Sequence, residues 1–232
     1  MSKETVATDR IYSLDVLRGV AALSVVFWHW QHFFYVGGQA QNFTAWKQPL
    51  FSAFSFFYMH GSLAVELFFC ISGFVFFWLF FNRIADRSIT PSRFFMDRVS
   101  RLYPLHIATF AAVALLQFLY MRHHDTFFVY QMNDLYHAIL NLFLMPAWGL
   151  EKGWSFNAPV WSVSVEALLY GAFFLTCMSR NLRYLLIPCL VVLGAAIYPS
   201  QYKLGSGIFT FFCGGAAYIA LDHAAKLTSM KV

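Results

Sequence analysis

The chain has 232 residues, of which 59% are hydrophobic, 20% aromatic and 12% charged. Soluble domains run at about 45–50% apolar and about 25% charged, so a cytosolic enzyme, a disordered chain and a disulfide-stapled secreted domain are excluded and a polytopic membrane protein remains. The formal net charge of +5 falls mainly in segments on one side of the apolar runs, which is a topology signal and no indication of nucleic acid.

Lys3, Glu4, Asp9 and Arg10 precede the first apolar run, roughly Leu14–Val36. No small-residue cleavage site follows it, so it reads as a retained span and not a signal peptide. Arg18 and His29 lie eleven residues apart, about 1,100° of helix rotation, which puts both on one face with an axial separation of about 16 Å. Asp15 stands three residues before Arg18 and can pair with it. An interfacial snorkelling role for Arg18 and an interhelical hydrogen bond for His29 remain open, as does a shared site for His29 and His32.

The second run, roughly Phe54–Phe81, contains Glu66 and the pair Ser72-Gly73. A carboxylate in an apolar helix must be paired, protonated or in a wet cavity. Ser72-Gly73 permits close backbone approach, as helix packing also requires. A basic stretch from Arg93 to Pro104 follows. Its Arg98 and Arg101 share a helix face, and a guanidinium pair suits phosphate as well as it suits a positive-inside anchor. The third run is roughly Leu102–Met121. The neighbouring His123, His124 and Asp125 do not form a plausible metal set, and no metal is expected. Residues Leu135–Trp148 are apolar but too short to span, so they suit an interfacial or re-entrant helix.

The fourth run, roughly Pro159–Met178, carries Trp161 and a stripe of Ser162, Glu166 and Tyr170 at four-residue spacing. A fifth run is near Tyr184–Tyr198 and a sixth near Ser206–Leu221. Cys70, Cys177, Cys189 and Cys213 all sit inside apolar runs and read as small buried hydrophobes. Twelve of the sixteen Lys and Arg residues fall on one side of these spans, which makes that side cytoplasmic and both termini with it. The expected fold is an all-α polytopic transmembrane helix bundle of about six spans, one domain over residues 1–232, without internal repeat or linker.

Taken together, these segments resemble the membrane-bound acyltransferase family 3, whose members O-acylate surface polysaccharides and other extracytoplasmic acceptors. The resemblance runs from about Ile11 to Tyr170 and more loosely to the end. It rests on Leu14-Asp15 with Leu17-Arg18-Gly19, the ten-residue interval between Arg18 and His29, Phe68-Phe69 with Ser72-Gly73-Phe74, the run from Arg98 through Arg101 to Tyr103-Pro104, and Trp161-Ser162 with Glu166. It implies a bacterial inner-membrane enzyme that takes acyl-CoA, with acetyl the expected group, as cytoplasmic co-substrate and acylates a hydroxyl of an extracytoplasmic glycan. No permanently bound cofactor is implied. The family core has about ten spans, so the chain reads as a truncated product, a fragment or a short relative lacking the C-terminal part. Ala167 stands where the family often has a second acidic residue.

Thioester chemistry needs a base, an oxyanion donor and a grip on the CoA phosphates. His29 is the expected base, with Glu66 or Glu166 orienting it. Ser72 and Ser162 are candidate oxyanion donors. Arg18, Arg98 and Arg101 are the expected phosphate ligands, with Asp15 and Trp161 beside them in the binding site. Two rival readings are a proton-coupled transporter or channel using Glu66, Glu166 and His29, and an inactive structural remnant.

Overall fold

A computed structural model describes residues 11–229. Lys3, Arg10 and Lys231, part of the orientation count, and Glu4 and Asp9 lie outside the described residues. The helices are α1 (Tyr12–His29), α2 (Phe51–His60), α3 (Leu63–Ala85), α4 (Pro91–Tyr120), α5 (Leu135–Leu142), α6 (Trp161–Met178), α7 (Arg183–Ile197) and α8 (Tyr202–Ser229). The strand content among the described residues is one hairpin, Tyr35–Val36 paired antiparallel with Gln39–Ala40. α3, α4, α6, α7 and α8 are long and apolar enough to cross a membrane. α1 is 18 residues long and carries Asp15, Arg18 and His29. It corresponds to the first predicted run, Leu14–Val36, and is not among the helices long and apolar enough to cross.

Several predicted boundaries change. The first run, Leu14–Val36, is α-helical only as far as His29. The run Phe54–Phe81 is not one helix but two, α2 and α3, which meet at Gly61-Ser62. The corner presses against α1, and a Cβ on Gly61 would collide with the Ser24 carbonyl and with Trp28. The basic stretch before Leu102 is already helical and belongs to the 30-residue α4. Thr90 caps that helix by accepting from the Arg93 N–H at 3.4 Å, and Pro91 occupies its first turn.

The core lies between α3, α6 and α8. Phe77, Phe173, Phe211 and Phe212 are fully buried there, and Phe76 stacks on Tyr170 with ring centres 4.9 Å apart. α3 and α8 cross with their backbones in contact: a side chain on Gly73 would strike the Phe211 carbonyl, and one on Gly214 the Cys70 carbonyl. Small residues at helix crossings allow this approach, which lets dispersion hold helices together in lipid. Arg183, counted as a topology cation, is a buried pin. Its guanidinium lies 3.8 Å over the Phe81 ring and donates to the Phe81 carbonyl at 2.7 Å and to Asn82 Oδ1 at 3.0 Å. Outward faces carry Leu105, Leu115, Phe118, Leu175, Leu185 and Val192, all exposed, as a hydrocarbon environment requires. Cys189 is exposed on α7, not buried as its apolar surroundings suggest, because an apolar neighbourhood in a membrane chain includes the lipid-facing side.

Candidate active site

One cavity of about 600 Å³ collects side chains from four helices. Arg18 reaches it from α1, Ser72 from α3, Arg98 and Arg101 from α4, and Ser162 and Glu166 from α6. Three guanidinium groups thus face one carboxylate. Glu166 Oε1 accepts from the Tyr170 hydroxyl at 2.6 Å. Arg18 lies 3.7 Å from Asp15 Oδ1. The Arg98 guanidinium is held among aromatic rings, 4.8 Å from the centre of Phe80, 4.9 Å from Phe76 and 5.6 Å from Phe94, and its Nε is buried without a hydrogen-bond partner. Rings fix the guanidinium plane without neutralising its charge. A preset, undercompensated basic cluster of this kind is suited to an anion with several oxygens.

The same face of α1 continues into two further cavities. Arg18, Ala22 and Val25 line the basic cavity, while His29 and His32 line the other two. One of these, about 380 Å³, is aromatic: Trp28, Tyr35, Tyr130, Trp154 and Trp161 stand around the histidines. The other, about 550 Å³, lies toward α4 and is mainly aliphatic and aromatic. His29 Nδ1 and His32 Nδ1 are 3.3 Å apart, and His32 Nδ1 is also 3.2 Å from the His29 carbonyl, which only accepts, so His32 is the donor of the pair. Burial, with Tyr35 beside it, pushes the Tyr130 phenol up to about 12, which keeps Tyr130 a neutral donor at physiological pH. Trp154 is held from behind by Lys203, whose Nζ lies 3.3 Å from the ring centre and pairs with Glu151.

α6 begins at the partition between cavities. Trp161 faces the aromatic one and Ser162, the next residue, faces the basic one. Ser162 donates to the Pro159 carbonyl at 3.3 Å. Trp161 is 6.2 Å from Phe69 and 6.3 Å from Tyr202, ring to ring.

The structure therefore brings Arg18, Arg98, Arg101, Ser72, Ser162 and Glu166 together, and places His29 with Trp161 in a second group. Glu66 belongs to neither: its Oε1 accepts from the Tyr198 hydroxyl at 3.1 Å and the Tyr202 hydroxyl at 3.3 Å. Glu66 and Glu166, expected to orient His29, both accept from tyrosines, and the ring beside His29 is that of His32. Sequence spacing hinted at His32, one turn on, and at Tyr170, four residues after Glu166. It held no sign of Trp154, Tyr130 or the Lys203–Glu151 pair, which meet only through tertiary packing. His137, within the short apolar stretch Leu135–Trp148, is fully buried. It donates from Nδ1 to Asp134 at 2.7 Å and accepts the Lys152 N–H on Nε2 at 3.1 Å, which makes it a pin for the segment after α5.

Comparison with known proteins places these residues in context. The family model described as an acyltransferase domain, of the acyltransferase 3 type, matches residues 11–226. The chain is 35% identical over 106 residues to "Protein 2 in picA locus" of Rhizobium radiobacter, covering 46% of this chain and 45% of that protein. It is 29% identical over 173 residues to the exopolysaccharide production protein ExoZ of Rhizobium meliloti (strain 1021), covering 72% and 45%. It is 30% identical over 167 residues to the acyltransferase MdmB of Streptomyces mycarofaciens, covering 71% and 38%. The matched part is thus less than half the length of these relatives. No solved structure matches significantly.

Proposed function

The chain belongs to the acyltransferase 3 family and is an integral membrane protein, and on that premise we propose that it transfers an acyl group from acyl-CoA on the cytoplasmic side to a hydroxyl of a glycan on the other side of a bacterial inner membrane. The observation that carries the reading is the single face of α1 that joins a basic cavity at Arg18 to an aromatic cavity at His29.

In this reading Arg18, Arg98 and Arg101 hold the CoA phosphates, with Asp15 steadying Arg18. The pantetheine arm runs along α1 toward His29, a distance of about 16 Å by helix rise. The acceptor sugar stacks in the aromatic cavity, where ring faces meet its C–H groups and Tyr130 and His32 supply polar contacts. His29 takes the proton of the attacking hydroxyl as the new C–O bond forms. The C–S bond then breaks, and the proton passes from His29 to the departing thiolate. His32, through its Nδ1, holds the His29 ring in orientation. Ser72 and Ser162 are the hydroxyls available to steady the oxyanion. A proton-relay transporter has less support, because Glu66 and Glu166 are bonded to different tyrosines in different parts of the bundle.

One experiment tests both chemistry and orientation. Inside-out membrane vesicles carrying the full-length protein and loaded with saccharide are given radiolabelled acetyl-, butyryl- or hexanoyl-CoA outside. Label is expected on the saccharide inside. Label appearing only when acyl-CoA is supplied from within would reverse the orientation. No label from either side, in folded protein with a panel of saccharides, would refute the transfer.

A further inference from the structure

The acyl carbon in the transition state bears four groups: the CoA sulfur, the attacking oxygen, the oxyanion and the acyl chain itself. On the reading above, sulfur arrives from the basic cavity and the attacking oxygen from the aromatic one. A third space touches His29, and it differs in chemistry from both. Its walls are Val113, Leu116 and Tyr120 of α4, Phe128 and Phe156 of the segments that follow, and Pro159 ahead of α6. His29, His32 and Tyr130 stand on the wall it shares with the aromatic cavity, and away from that wall its polar side chains are few. Gln117 accepts the Phe128 N–H at 3.1 Å, and Asn157 donates to Thr109 Oγ1 at 3.2 Å. Tyr120 is stacked on His124 with ring centres 3.8 Å apart. A sugar or phosphate placed there would forfeit its hydrogen bonds to water with little in return. A hydrocarbon loses nothing, and apolar cavities are the kind that stay dry and take apolar guests.

Size points the same way. At about 550 Å³ this space exceeds the 380 Å³ of the aromatic cavity, and the single methyl of an acetyl group would leave nearly all of it unfilled. We propose that the cavity between α4 and His29 is the acyl-chain pocket, and that this protein takes fatty acyl thioesters longer than acetyl. The inference rests on the acyltransferase reading and replaces acetyl as the expected group.

The test is equilibrium binding of acetyl-, butyryl- and hexanoyl-CoA to the full chain in nanodiscs, with empty nanodiscs subtracted, beside transfer of each group to saccharide. Burying one methylene is expected to tighten binding about four-fold, so affinity should climb steeply across the series. Val113→Trp and, separately, Leu116→Trp fill the pocket from α4, and in each the hexanoyl-to-acetyl affinity ratio should fall toward one. A flat series in the unaltered protein, or an equally steep one in both variants, would overturn the pocket while acetyl transfer still upheld the enzyme. If the variants instead changed affinity for the acceptor and left the chain-length series intact, the pocket would belong to an apolar part of the acceptor and the proposal would be wrong. Absence of binding by every acyl-CoA would remove both readings together.

Discussion

Replacing His29 with glutamine separates chemistry from packing, because glutamine keeps polarity and approximate size but cannot take and release a proton near neutral pH. What the ring does structurally is limited: it is half-buried, meets His32 at 3.3 Å and stands edge-on to Trp28 with ring centres 4.9 Å apart. One such hydrogen bond is worth about 0.5–1.5 kcal/mol net, at most about tenfold in rate, and a glutamine amide can remake part of it. Loss of a general base costs about 10²–10⁴ in rate, or about 3–5 kcal/mol at 1.36 kcal/mol per tenfold. The two roles therefore predict effects that barely overlap. The assay is single-turnover transfer from labelled acyl-CoA to saccharide in nanodiscs, with acyl-CoA binding measured on the same sample. His29→Gln should be as inactive as His29→Ala while its donor affinity stays near that of the unaltered protein, since the phosphates are held at the other end of α1. Transfer within tenfold of normal by a folded His29→Gln would remove His29 from the mechanism.

Arg98→Ala should raise KM for acyl-CoA with little change in kcat, since a phosphate contact is made equally in ground and transition states; Arg101→Ala should act alike, and unchanged KM in both would reassign the pair to anchoring. Arg98→Lys should fail to rescue, because an ammonium cannot reproduce the flat stacking against Phe76, Phe80 and Phe94. Gly73→Ala drives a methyl into the Phe211 carbonyl at the α3–α8 crossing, and backbone there cannot swing aside. The expected loss is about 1–3 kcal/mol, read as a lowered melting temperature in nanodiscs, and an unchanged melting temperature would show that the crossing is not tight.

Composition and run length were enough to determine an apolar helical bundle, because a bilayer leaves the backbone few ways to satisfy its hydrogen bonds. Periodicity was enough to place Arg18 and His29 on one face of α1 and Ser162, Glu166 and Tyr170 on one face of α6, because a helix fixes angular position residue by residue. Periodicity says nothing about which faces meet. Only packing separated Ser72, which lines the basic cavity, from its neighbour Gly73, which is the contact with α8. Only packing gave Glu66 to Tyr198 and Tyr202, more than 130 residues away in the chain. The break at Gly61-Ser62 had a local cue in the Gly-Ser pair, but its close fit against Ser24 and Trp28 of α1 is a matter of packing. Side chains distant in sequence, Trp154 on Lys203 and Tyr130 beside His32, were placed by segments without regular periodicity, so their meeting was a property of the folded bundle and not of any stretch of the chain.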